Sequence, residues 1–201
     1  GYLLAGVLVT LFSIKKPNVM ETSFIFFILG FMYITKQFFS VIVLILFVIF
    51  FITKKYRKGS IFILIPLIIN EMTYLTYFSN VPREHHIRQI DFRDTILDLF
   101  LFRDLKLNNI IEITKNLWID KPMTYLLLIT FVTYFIAFYK NKTNFESNTY
   151  FLISVLNIFF ILLLYISAWR QMELESPIRY IYSFLIIYLM LIMKNLELKK
   201  N

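Results

Sequence analysis

Long apolar runs, broken by short polar and basic stretches, fill the chain from its first residues to its last. Seven of them approach the roughly 20 mostly apolar residues that cross a bilayer as a helix. They are residues 1–14, 21–34, 38–53, 60–79, 123–139, 149–169 and 178–193. None alternates with the period of two that marks a barrel strand, so each is expected to be helical. The second and third are short for a span and depend on snorkelling flanks or a locally thinned bilayer. Joined as one bent helix, they would place Lys36 of Thr35-Lys36-Gln37 near the bilayer centre, where charge is costly. A tight turn at the surface is the expectation instead.

Residues 80–122 are the one long stretch outside these runs, too long to be a plain connection. Within it, residues 107–118 carry a helical pattern. Leu107, Ile110, Ile111, Ile113, Leu117 and Trp118 share one arc, and Asn108, Asn109, Glu112, Lys115 and Asn116 the other. This reads as an amphipathic helix lying in the membrane interface with Trp118 among the headgroups, although packing on protein gives the same pattern. No internal repeat and no Gly/Ser- or Pro-rich linker interrupts the chain, so residues 1–201 are expected to be one integral membrane domain.

Composition strengthens the membrane reading. The chain is 59% hydrophobic and only 17% charged, with a mean hydropathy of +0.69. Soluble proteins run at about 45–50% apolar and about 25% charged. The expected fold is therefore all-α: a polytopic transmembrane helical bundle with about seven spans and an interfacial amphipathic helix in its long outer loop.

The net charge of +8 is read as topology rather than as nucleic-acid binding. Lys15 and Lys16 fall between runs one and two; Lys54, Lys55, Arg57 and Lys58 between three and four; Lys140 and Lys142 between five and six; Lys194, Lys199 and Lys200 after seven. Seven crossings place all four clusters on one face, the cytoplasmic one by the positive-inside rule.

Candidate chemistry lies where polar groups occupy costly places. Glu71, beside Asn70 in run four, is either a substrate or proton contact or a helix–helix hydrogen bond. Asn157 in run six is favoured as an interhelical hydrogen bond. In the outer loop, Arg83, Glu84, His85, His86, Arg88, Asp91, Arg93 and Asp94 form the densest polar cluster, able to grip phosphate or to be a solvated loop of ion pairs. Arg170 and Arg179 flank the last outer loop, at a level that suits a lipid-linked phosphate or headgroup anchoring. With no cysteine and two adjacent histidines, no metal site is expected. No cofactor is expected either: four glycines exclude glycine-rich nucleotide cradles, and no Walker A loop, dinucleotide fingerprint or HExxH is present.

Two segments resemble a known family. The run Gly1-Tyr2-Leu3-Leu4-Ala5-Gly6-Val7-Leu8-Val9-Thr10-Leu11-Phe12-Ser13-Ile14-Lys15-Lys16-Pro17 resembles a helix of the polytopic GT-C glycosyltransferases that ends in a Thr-Lys-Pro type exit. Here Ile14-Lys15-Lys16 stands where Thr-Lys would be. The stretch Glu175-Ser176-Pro177-Ile178-Arg179-Tyr180-Ile181 resembles the Pro-x-Arg-Tyr opening of a final helix in that family. The resemblance covers the ends of the chain and its layout, not its middle.

It implies transfer of a sugar from a polyprenyl-phosphate donor to a glycan, lipid or protein acceptor at the outer face of a bacterial plasma membrane. The family's base, an acidic residue in its first outer loop, would precede Gly1, because the chain opens directly in an apolar segment with no basic leader and is expected to be a C-terminal fragment. Arg179 and Arg170 are then the donor-phosphate contacts, stabilising a departing phosphate. Arg83, His85, His86, Arg88, Glu71 and Asn70 are candidates for the substrate cavity. The competing readings are an O-antigen type polymerase or ligase, a transporter or flippase without bond chemistry, and a membrane anchor or assembly subunit.

Overall fold

The computed structural model describes residues 1–16, 18–35, 39–73, 76, 111, 115, 121–168 and 181–200. Among them all regular structure is helical. The chain forms two compact units, Tyr2–Ile87, and Gly1 with Arg88–Asn201.

The first unit begins with α1 (Tyr2–Ser13), α2 (Val19–Thr35) and α3 (Phe39–Ile52). These match the first three apolar runs to within two residues at nearly every end. α2 starts on Asn18, whose Oδ1 accepts from Met20 N, while the Glu21 carboxylate accepts from Asn18 N at 3.4 Å. That reciprocal pair satisfies amides the helix start leaves open. Phe26 of α2 lies 5.0 Å from Phe50 of α3, so the two helices run side by side and are not one bent rod.

The fourth run, expected over 60–79, is entered through a short α4 (Arg57–Ser60), and its described part is a 3-10 turn (Ile61–Ile63) followed by α5 (Leu64–Thr73). Pro66 explains the break. It has no N–H to give back to the preceding turn and is tolerated only in a helix's first turn, which is where it sits in α5. α2 crosses these pieces closely. A Cβ on Gly30 would lie 2.5 Å from the Ile63 carbonyl oxygen, and one on Gly59 would collide with Thr22. Glycine is the side chain these crossings admit.

The second unit contains α6 (Lys121–Tyr139), α7 (Phe145–Ala168) and α8 (Leu185–Lys200). Asn141, at φ 52°, ends α6: Lys142 N–H donates to Ala137 O and Asn141 N–H to Phe138 O, both at 2.9 Å. This is the Schellman closure, with asparagine in the left-handed position. Three residues on, Asn144 caps α7 through Ser147 N–H at 2.8 Å. α6 and α7 therefore reverse direction within a few residues, and the Tyr134 ring stacks on Phe151 at 3.7 Å.

α8 packs against both of them. It runs through Lys194 to Lys200, so that cluster is carried on the helix rather than following it. Lys194 bridges Glu197 at 3.4 Å on its own helix and Glu146 at 3.1 Å on α7, which extends helical order past the last apolar residue.

Hydroxyls inside the helices are satisfied locally. Thr130 Oγ1 donates to Leu126 O at 2.7 Å, and Ser154 Oγ to Tyr150 O at 2.8 Å. Each bond runs to the carbonyl four residues back and lets a polar group sit in an apolar helix without a distant partner.

Candidate functional site

The described polar groups of the second unit gather along the seam of α6, α7 and α8. Asn157 of α7, 1% exposed, donates through Nδ2 to the Tyr188 hydroxyl of α8 at 2.9 Å. It is the interhelical bond favoured for it from sequence, and its Oδ1 has no partner among the described groups. Nearer the end of the unit, the Ser147 hydroxyl donates to Asn195 Oδ1, and both residues are buried. Asn195 Nδ2 is left without a partner among the described residues. The Tyr134 hydroxyl reaches Asn148 Oδ1 at 3.1 Å.

Beside Asn195 opens a cavity of 310 Å³ lined by Thr133, Ile136, Ala137, Lys140, Lys142, Asn195 and Leu196. Two basic clusters of the sequence, Lys140 with Lys142 and the start of Lys194–Lys200, thus meet at one end of this unit. Lys194 is also held there electrostatically. Its partial burial alone would lower its pKa, but the Glu146 and Glu197 carboxylates outweigh that and leave it above the ordinary 10.5.

The first unit repeats the arrangement independently. A second cavity, of 330 Å³, is lined by Val19, Thr22, Lys54, Lys55, Arg57, Lys58 and Gly59. It joins the start of α2, just after Lys15 and Lys16 in sequence, to the basic cluster that leads into and opens α4. Below it lie the rings of Phe26, Phe50 and Tyr56, with Phe50 and Tyr56 edge to face at 5.5 Å. The Lys55 ammonium sits 5.1 Å from the Tyr56 ring centre and the Arg57 guanidinium 5.2 Å from that of Phe51. Chemically, both ends can hold and neutralise an anion.

Of the residues singled out from sequence, Asn70 is half-buried on α5, and Glu71 follows it on the same helix with its side chain outside the described residues. Arg83, His85, His86, Arg88, Arg170 and Arg179 lie outside the described residues, as does most of 107–118; Ile111 and Lys115 of that segment are helical and exposed. The pairing of Ser147 with Asn195 was missed from sequence. Each is one of several polar residues at the edge of an apolar run, and only the crossing of α7 and α8 joins them. No protein-family model, curated protein or solved structure matches the chain.

Proposed function

We propose that the chain is a polytopic membrane protein and that it is a membrane part of a glycosyltransferase. That enzyme would move a sugar from a polyprenyl-phosphate donor to an acceptor at the outer face. The observation that carries the membrane reading is α6. Its window Pro122–Tyr139 is long and apolar enough to cross a bilayer, yet only 22% of it is buried. The core helix of a soluble protein passes the same length test but is mostly buried. In α6, Tyr125, Leu128, Ile129, Val132, Phe135, Ile136 and Tyr139 recur at spacings of three and four, and all are exposed. Thr130, Tyr134 and Ala137 face inward. An outward apolar stripe over an inward polar seam suits lipid as the solvent.

Further support comes from the basic clusters, which meet at one end within each unit as positive-inside loops do. The glycosyltransferase reading rests on the resemblance at the two ends of the chain and on the layout of a long loop before the last helices. Its sharpest residue is Arg179, two positions after Pro177, whose fixed φ suits the first turn of the helix expected there from sequence, where backbone N–H groups would also favour an anion.

In the full-length protein, Arg179→Lys keeps the charge but loses the two-pronged guanidinium. It is expected to lower turnover of a polyprenyl-phosphate sugar, and Arg179→Ala to lower it further, by roughly the 10²–10³ that follows loss of a transition-state charge contact. Both variants should still reach the membrane at the wild-type level. Equal turnover in all three proteins would remove Arg179 from the donor site.

A further inference from the structure

We propose that the cavity beside Asn195 is a seat for the phosphate of an anionic lipid headgroup, at the basic end of the second unit. The proposal rests on the membrane reading of the chain, and it concerns the face opposite to the proposed sugar transfer. Lys140 and Lys142 flank Asn141, and the bond from Lys142 N–H to Ala137 O pins the turn that presents both ammoniums at one opening. Both lysines are exposed, and neither has an ion-pair partner among the described residues. The nearby carboxylate of Glu146 is taken by Lys194.

The floor supplies a third donor. Asn195 is 4% exposed, its Oδ1 is occupied by Ser147, and its Nδ2 has no acceptor among the described residues. A buried N–H without an acceptor is unfavourable, and a phosphate oxygen entering the cavity relieves it. Of the remaining wall, Ile136, Ala137 and Leu196 are apolar, and the Thr133 hydroxyl donates to the Thr130 carbonyl of its own helix. Ile136 and Leu196 are half-exposed, and Ile136 continues into the outward stripe of α6, where an acyl chain can lie. Free phosphate has no use for that wall; a phospholipid uses both parts. The basic cavity of the first unit lacks this build. Its Thr22 hydroxyl is bonded within its own helix, and Lys55 and Arg57 lie against rings.

The full chain, purified in detergent, is titrated with phosphatidylglycerol, phosphatidylcholine and inorganic phosphate while its thermal midpoint is followed. Phosphatidylglycerol should raise the midpoint saturably, and the other two should not. Each lysine near an anionic headgroup contributes about 1 kcal/mol, so Lys140→Gln with Lys142→Gln should weaken the lipid affinity by about 25-fold. Lys54→Gln with Lys58→Gln should leave it within about twofold of wild type on the same scale. Leu196→Trp fills the cavity and keeps both charges, so it decides the matter if the double variant does not fold; it should weaken the saturable shift at least as much.

An equal response to phosphatidylcholine or to inorganic phosphate overturns the lipid seat, as does an unchanged response in both cavity variants. Carbonate washing of membranes separates the two readings. A chain that stays in the membrane but ignores phosphatidylglycerol sinks the seat alone. A chain released by carbonate sinks the membrane reading and the seat with it.

Discussion

Gly30 sits where α2 crosses the 3-10 turn, with the Ile63 carbonyl and the Pro66 ring at the distance of a missing Cβ. Nothing there yields cheaply, because one neighbour is backbone and the other a closed ring. Gly30→Val should therefore destabilise the first unit by about 1–3 kcal/mol, the usual cost of overpacking. Gly6 provides the contrast, since nothing lies within 4 Å of an added Cβ. Gly6→Ala should hold or raise the thermal midpoint, because alanine is the better helix former. Equal loss in both variants would mean that the α2 crossing is not close.

Lys194 carries a second prediction at this scale. Its pKa is raised in the folded chain, so its bridges to Glu146 and Glu197 contribute fully below the ordinary lysine value of 10.5. The contribution fades as pH rises through the higher folded value. Wild type should thus lose its advantage over Lys194→Met in thermal midpoint only above about pH 10.5, and should keep it unchanged between neutral pH and 10. The lysine is partly exposed, so the advantage is small. A difference that vanished below pH 9 would not come from this ammonium.

Among the helices, α6 makes the most direct test of solvent. Ile129 is 51% exposed and near the middle of the apolar window. On a water-facing helix, Ile129→Lys would change stability by no more than about 0.5 kcal/mol. On a lipid-facing one, a lysine at that depth costs about 2.5–3.5 kcal/mol of insertion. Expression of Ile129→Lys in the membrane fraction should fall sharply, while Asn141→Lys, beyond the end of the helix, should not. Wild-type yield of both would argue that α6 does not face lipid. Run length placed the ends of α2 and α6 to within two residues, but the caps themselves (Asn18 before α2, Asn144 before α7 and Asn141 after α6) were not read from the sequence, and α7 begins four residues before its expected run. The broken construction of the fourth run was not legible either, because Pro66 alone does not say whether a helix kinks or restarts there.

For the molecule as a whole, the basic clusters meet at one end within each unit, and the crossings between them decide which side of a membrane that end faces. Cysteines placed at Arg57 and Asn141 should be shielded in intact cells from an impermeant thiol reagent added outside, and one at Asn109 should react. The native chain has no cysteine, so labelling reports only the introduced thiol. Reaction of Arg57→Cys from outside would reverse the orientation of the first unit, and reaction of Asn141→Cys from outside would move the Asn195 cavity to the other face.

By itself, the sequence determined the helical class, the ends of α1, α2, α3 and α6, and the segregation of lysines from apolar runs. These are local properties: hydrophobic run length, capping side chains and charge placement act within a few residues of one another. Tertiary structure alone decided that Ser147 meets Asn195, that Asn157 finds the Tyr188 hydroxyl, and that Lys140 and Lys142 open onto a buried amide. Those residues are 48, 31 and more than 50 positions apart, and only the way α8 lies in the groove of α6 and α7 joins them. No period along the chain encodes that crossing; it follows from which side chains interdigitate once the helices are formed.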